Sequence, residues 1–523
     1  GGGPGREHLE RLIRSRNLDR LPPVNPGKAL EFFERLEKNA DKYARWSGEL
    51  YFENHQGTYT TQSRIKKFNR KAEIAMRNCE IVCSIAAREK GFEYPAAELE
   101  RIWKRILFLQ FHDILPGSSI KCVYDEAEAE YAVLIKEIEE ITHRAGKMIA
   151  GGNFNPTSVE RKEYVRSGGK WYMSTAKPFS TAKLSPATDT IQGLENEYIR
   201  LTIDTDGAIS SIYDKQYGRE LLKSGTRANR FTIYPDDADA WELPTAYNDR
   251  PKDYFRLTSS QLVTNGPKAI HRSEYVYGGS KINQDVIMTS GEREIVFKTT
   301  VDWRETSKLL RTSFDIDIVC SEAICGIQFG QLKRPTHSNT SWESAKFEVC
   351  ANRYVDLCEN GYGVAMLSDS KYGFNIKGNV LDLCILRSPM WPGVDADKGI
   401  HEFVYTIYPH PGDTAKGGVA QRAELLNIPM LELGGNGEIS EYIKVSAENI
   451  VVEAMKRAED GNGYVMRLYE AYGSDTSALV SVKGMKTCVL TDMLENPLKT
   501  LDVSKDTVKL HFKPFEIQTV RFN

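Results

Sequence analysis

The chain has 523 residues, enough for three or four domains at roughly 150 residues each. Hydrophobic residues make up 41% and charged residues 27%, an ordinary globular composition that excludes collagen, wholesale disorder and a coiled-coil rod. Lys+Arg 69 against Asp+Glu 72 leaves a net charge of -3, so nothing drives the chain toward nucleic acid or an anionic membrane.

Gly1-Gly2-Gly3-Pro4 leads into a charged, helix-like stretch from Arg6 to Arg16 with neither an apolar signal core nor an initiator methionine, so the sequence reads as a piece of a longer protein. A shorter helix is expected over Leu30 to Tyr43, within a connecting segment of residues 1–50. From Thr60 to Lys90 the apolar residues Ile65, Phe68, Ala72, Met76, Cys79, Val82 and Ala86 return at three- and four-residue steps, which predicts one long amphipathic helix. Leu99 to Leu109 repeats the stripe after Pro95, and Ile120 to Ile141 repeats it again. Short connections, Gly91 to Pro95 and Asp113 to Ser119, favour antiparallel neighbours, so residues 51–150 are expected to form a three-helix bundle. The densest apolar run, Ile106 to Leu115, is broken by Gln110, His112 and Asp113 and falls short of a membrane span.

After Gly151-Gly152 the period changes to two. Tyr198 to Ile203 and Ala208 to Tyr213 flank an Asp206-Gly207 turn, and Glu294 to Val301, Phe347 to Cys350, Gly363 to Leu367, Glu402 to Tyr408 and Val508 to Phe512 follow. The expected architecture is multidomain: the helical bundle, the first strands of a small β-sandwich over 151–190, a large antiparallel β-sandwich over 191–433, and a smaller β domain over 434–523. Gly434-Gly435-Asn436-Gly437 is the best interior linker candidate. The nine cysteines form no CxxC pair and are expected to be reduced, in a cytosol. Cys79 and Cys83 read as two small buried hydrophobes rather than a metal chelate.

Chemistry concentrates in Gln110-Phe111-His112-Asp113-Ile114-Leu115-Pro116-Gly117-Ser118-Ser119, where a helical stripe ends in adjacent His and Asp before a turn. An imidazole and a carboxylate there can bind a divalent metal or a sugar hydroxyl, although a solvated helix end, favoured by the helix dipole, is the commoner meaning of such a pair. Asp236, Asp237 and Asp239, followed by Trp241, suit sugar recognition, although a polar loop with a buried tryptophan is the commoner meaning of such a cluster. No GxSxG, Walker or GxGxxG motif supports esterase, phosphoryl or hydride chemistry, and the remaining histidines include no HxH, HxD or HExxH spacing.

Taken together these segments resemble the zinc-dependent retaining α-mannosidases of glycoside hydrolase family 38, in its bacterial, fungal vacuolar and cytosolic branch. Gly48 to Glu53, His55 and Gly57 to Gln62 look like the approach to that family's helical middle domain. Blocks such as Asp239-Ala240-Trp241, Arg334-Pro335-Thr336-His337, Lys371-Tyr372-Gly373, Leu386-Arg387-Ser388-Pro389 and Tyr408-Pro409-His410 then follow in the family's order. The resemblance implies a mutarotase-like supersandwich for the large β domain, His112 as a zinc ligand, and Asp113 as the residue that holds mannose hydroxyls. It leaves Asp239 and Trp241 to reach the sugar from the sandwich.

It also implies a departure. The family carries its nucleophile, its acid catalyst and an HxD pair of metal ligands in an N-terminal α/β barrel, and nothing in this sequence answers to it. No catalytic residue is therefore assigned. The chain is expected to fold, to lack hydrolysis by itself, and to hold zinc or another divalent ion weakly if at all, with α-mannoside glycans and that barrel as its partners. The competing readings are a non-catalytic carbohydrate-binding or assembly piece and a mutarotase-like sugar epimerase.

Overall fold

The computed structural model describes residues 3–523, which leaves Gly1 and Gly2 of the glycine-rich start outside the described residues. Two compact units result, one running up to Phe52 and the other Glu53–Asn523. The first holds helices α1 (Arg6–Ser15) and α2 (Ala29–Glu37) and a 3-10 turn, Ala40–Lys42, with no buried residue in any of them. The stripe expected to run to Tyr43 stops at Glu37. Asn39 follows, and its side-chain oxygen accepts from Lys42 Nζ at 2.8 Å, the kind of local side-chain bond that competes with helix.

The second unit opens on three long helices: α3 (Ser63–Lys90), α4 (Ala96–Leu109) and α5 (Lys121–Ile149). α3 has no capping side chain of its own. Its first N–H groups, those of Gln62 and Ser63, donate instead to the Asp397 carboxylate at 2.8 and 2.7 Å, an anion at the positive end of the helix dipole. It ends at Gly91 (φ +67°), whose left-handed backbone lets the N–H groups of residues 91 and 92 turn back to the carbonyls of Ala87 and Ala86. The apolar stripe of α3 packs with α4 and α5 in one cluster that includes Ile65, Met76, Val82, Ile102, Tyr131 and Ile138. The opposite face of α3 is polar and is buried too, carrying Lys66, Asn69, Arg70, Arg77 and Glu80. Two of them bond loops, a helix end and a strand of the β region: Arg70 reaches Tyr372 and Asn427, and Arg77 reaches the carbonyls of Pro156 and Val452. All nine cysteines are free, and the sulfurs of buried Cys79 and Cys83 lie 3.9 Å apart on α3.

From Gly151 onward the chain is antiparallel sheet, the paired strands following the period-two stretches. Nine strands between Arg256 and Pro411 make one sheet, in which Gly399–Pro411 lies between Ile295–Trp303 and Tyr362–Ser368. A six-stranded sheet containing Lys308–Asp315 and Val380–Arg387 faces it, as the ring contacts of Phe314 with Phe297 and Tyr405 show. Where one face is open, burial alternates, as along Ser280–Thr289; Tyr362–Ser368 is buried at every position, because the helix Val419–Asn427 covers its second face. Three- and five-stranded sheets close the C-terminal region over the same core that holds the helices. The glycine run at 434–437 is packed rather than loose. Gly434 ends a strand paired with Gly151–Phe154, and a Cβ on Gly435 would meet the Lys147 carbonyl at 2.2 Å.

Candidate functional site

α4 ends at Leu109, and the residues that follow form a turn whose inner side is fastened to α3. Gln110 Nε2 donates to Asn69 Oδ1 at 3.0 Å and Glu73 Oε1 at 2.8 Å. Lys66, buried in α3, donates to the carbonyls of Leu115 and Pro116 at 3.0 and 3.2 Å and also to that of Thr61. Desolvation pulls its ammonium down to about 7. Gly117 (φ +93°) approaches Thr61 so closely that a Cβ would fall 2.3 Å from its carbonyl oxygen.

With the inner side held, the outer side presents His112 and Asp113. Their side chains are 78% and 46% exposed, with Nε2 and Oδ2 3.7 Å apart. The imidazole packs on Phe111 at 4.1 Å between ring centroids. Asp113 Oδ1 accepts from Ser118 Oγ at 3.0 Å, while Tyr124 ties the two ends of the turn by donating to Asp113 O and accepting from Ser119 N. One carboxylate oxygen is thereby oriented and the other faces outward.

The second candidate group is held by a buried ion pair. Asp236 accepts Arg387 Nε and Nη2 at 2.9 and 3.0 Å, both side chains fully buried, and the same guanidinium donates to the carbonyls of Asp239 and Ala240 and to Thr61 Oγ1. Asp237 points away to Arg250 at 2.6 Å. Asp239 Oδ1 accepts from the N–H groups of Trp241 and Glu242, both at 3.0 Å, so this carboxylate shapes its own turn. Trp241 is half-buried, and its ring lies 5.2 Å from that of Trp391, which is 61% exposed. The structure thus separates the three aspartates: one is an internal counterion, one an exposed ion-pair partner, and one borders the tryptophan pair.

The two groups meet through Thr61 and the Trp391 loop rather than directly. Thr61 Oγ1 donates to Ala240 O at 2.9 Å, Gly57 N donates to Trp241 O at 2.8 Å, and Ala240 N donates to Trp391 O at 2.9 Å. Gly57 has room for no side chain, since a Cβ would stand 1.8 Å from Arg387 Nη1. A Cβ on Gly393 would touch Ser119 O at 3.5 Å, which closes the ring of loops. Among the described residues no hydrogen bond or ion pair joins His112 or Asp113 to Asp239 or Trp241. A cavity of about 880 Å³ lies beneath, lined by Gln110, Leu115 and Pro116 and by α3 residues, but not by any of these four. Sequence reasoning left out Lys66 and quoted Gly57 and Arg387 only within family-like blocks, without the organising parts that they play here.

As metal donors the residues fit only in part. The exposed His112 Nε2 is a competent ligand, but a stable divalent site takes at least three protein donors. Among the described residues the one group of three converging metal-binding side chains is Asp356, Cys358 and His410, which does not include it.

Comparison with known proteins places the chain. Family models match for the α-mannosidase middle domain over residues 53–149, the glycosyl hydrolases family 38 C-terminal domain over 194–395, and that family's C-terminal β-sandwich domain over 449–520. Human "Alpha-mannosidase 2C1" is 33% identical over 566 aligned residues, covering 99% of this chain and 54% of that protein. "Alpha-mannosidase G" of Dictyostelium discoideum is 30% identical, covering 100% and 57%. The chain therefore spans about half the length of the curated relatives it matches. The crystal structure of an α-mannosidase from Enterococcus faecalis shares the fold, with a TM-score of 0.77 at 16% identity over 94% of this chain and 72% of that one. With three successive domain matches in one order, the chain belongs to glycosyl hydrolase family 38, of which it carries the middle domain and the two C-terminal domains.

Proposed function

We propose that this chain is the sugar-gripping part of a retaining, zinc-dependent α-mannosidase that cleaves α-mannosidic bonds in glycans or oligosaccharides, acting in the cytoplasm. The observation that carries this reading is the fastening of the His112 turn to the Asp239–Trp241 loop through Thr61, Lys66 and Arg387, with two exposed polar side chains left on the outer surface. The relatives' names supply the substrate class.

In this reading Asp113 accepts hydrogen bonds from mannose hydroxyls through Oδ2, because Oδ1 is engaged by Ser118. The Trp241–Trp391 pair offers an indole face to a pyranose ring. His112 gives one imidazole donor to a divalent ion whose other ligands come from an N-terminal barrel, so this chain by itself holds that ion weakly. When bound there, the ion polarises the sugar's hydroxyls. The two carboxylates that a double displacement requires belong to the same barrel, and the large sandwich is read as a mutarotase-like supersandwich that supports the loops.

The test is hydrolysis of a chromogenic α-mannoside by the chain alone, and by the chain joined to or mixed with the N-terminal region of its protein. No turnover is expected alone. Activity is expected on joining, and it falls to background in the joined protein carrying His112→Ala. Robust turnover by the chain alone overturns the proposal, and mannoside affinity without turnover on joining favours a carbohydrate-binding piece.

A further inference from the structure

On the face of the nine-stranded sheet that the helix Val419–Asn427 covers, remote in sequence from the His112 turn, three side chains of metal-ligating kinds meet. Asp356 and Cys358 are two apart on Tyr354–Glu359, so both point the same way. His410 lies on Gly399–Pro411, two strands over. The strand between contributes Gly363, which is paired with Cys358 on one side and with His410 on the other. A Cβ at Gly363 would stand 2.4 Å from His410 Cε1 and 2.8 Å from Cys358 Sγ, and one at Gly417 would stand 2.1 Å from His410 Nδ1. Two glycines thus give the imidazole its slot and allow thiol and ring to meet across a whole strand.

The donor atoms lie within 4.8 Å of one another. His410 Nε2 is 3.0 Å from Asp356 Oδ1, Cys358 Sγ is 3.0 Å from Asp356 Oδ2, and Thr414 Oγ1 is 2.7 Å from the same oxygen and 3.6 Å from the sulfur. Asp356 and His410 are fully buried. His410 Nδ1 faces the Pro411 carbonyl at 3.4 Å. With its proton on Nδ1 the imidazole offers the Nε2 lone pair to a metal ion beside the carboxylate, and with its proton on Nε2 it donates to Asp356 when no metal is bound.

We propose that Asp356, Cys358 and His410 form a structural site for a divalent ion of the zinc class, with Thr414 Oγ1 on the fourth side. A carboxylate, a thiolate and a neutral imidazole carry two negative charges, so a divalent ion leaves the desolvated site neutral. The thiol proton leaves to solvent as the metal–sulfur bond forms. Thiolate and imidazole select zinc or cobalt over calcium and magnesium. Zinc bonds of about 2.0–2.3 Å separate tetrahedral ligands by about 3.3–3.7 Å, so the His410–Asp356 and Cys358–Asp356 pairs at 3.0 Å open by a few tenths of an ångström, while thiolate and imidazole, held within 4.8 Å, draw together around the ion. This site is independent of His112 and of the mannosidase reading.

The experiment uses the chain as it stands, equilibrated with zinc, passed through metal-free buffer and analysed by plasma mass spectrometry. One retained zinc per chain is expected, unchanged in His112→Ala and largely lost in Cys358→Ser. The serine hydroxyl can still donate to Asp356, so that variant keeps its fold, as circular dichroism checks. Loaded with cobalt instead, the unmodified chain is expected to show a thiolate-to-cobalt charge-transfer band. Absence of stoichiometric zinc, absence of that band, full retention in Cys358→Ser, or loss in His112→Ala overturns the proposal.

Discussion

Arg387 carries more of the candidate site than any residue on its surface. Its side chain and that of Asp236 are fully buried, and its remaining N–H groups go to two carbonyls of the 239–240 turn and to Thr61. Arg387→Met removes the charge that compensates Asp236 and unties the turn that carries Trp241. Leaving a buried carboxylate without its partner costs about 3–5 kcal/mol, so a marked drop in thermal midpoint is expected. Asp236→Asn is expected to be costly too, because the amide accepts from only one of the two guanidinium N–H groups, turns its own NH2 toward the other and leaves the buried Arg387 charge uncompensated. A thermal midpoint for Arg387→Met within a degree or two of the unmodified chain contradicts this account. The end of the helical stripe at His112 and Asp113 was legible in the sequence, but the residues alone favoured a solvated helix end, and a role for the pair came only from the resemblance. The part played by Arg387 was not legible, because its partners are drawn from segments more than a hundred residues away and no spacing rule connects them.

α3 is where the local pattern and the tertiary structure part. The three- and four-residue stripe located the helix, yet the polar residues opposite it lie under the sheets rather than in water. Periodicity reports which side is apolar and does not report what covers the other side. Burying charges there has a cost that pH reveals. Glu80 accepts from Trp103 Nε1 at 3.1 Å, and desolvation pushes its carboxyl up to about 7 from 4.5. Between those two values the folded chain binds more protons than the unfolded one, so stability falls as pH rises through the window. The displacement corresponds to about 3 kcal/mol at neutral pH and above. Glu80→Gln keeps an acceptor for Trp103 and cannot ionise. Its thermal midpoint is expected to exceed that of the unmodified chain at pH 8, the difference shrinking toward pH 5. The opposite ordering at pH 8, or a gap independent of pH, counts against buried ionisation as the cause.

At the scale of the molecule, strand content and the helix-to-strand change near Gly151 were readable from period alone, whereas sheet order was not. Gly399–Pro411 inserts between Ile295–Trp303, roughly a hundred residues earlier, and Tyr362–Ser368, roughly forty residues earlier, a pairing set by long-range closure rather than by any neighbouring turn. The same non-locality joins domains that the sequence suggested were separable. The apolar cluster of α3, α4 and α5 runs without a break through Phe154, Phe179 and Leu433 into Ile450, Leu468, Val480, Phe512 and Phe522 of the C-terminal sheets. Full burial of each such side chain contributes about 1.5–3 kcal/mol, and whole domains are stable by only about 5–15 kcal/mol. Removing the C-terminal sheets therefore withdraws more than the helices can spare. A chain ending at Gly434 is expected to lose its sharp thermal transition and its near-ultraviolet circular dichroism. In the full chain, helix content and tryptophan fluorescence should report coincident transitions. A truncated chain that still melts cooperatively with its helical signal intact shows instead that the three helices have a sufficient core of their own.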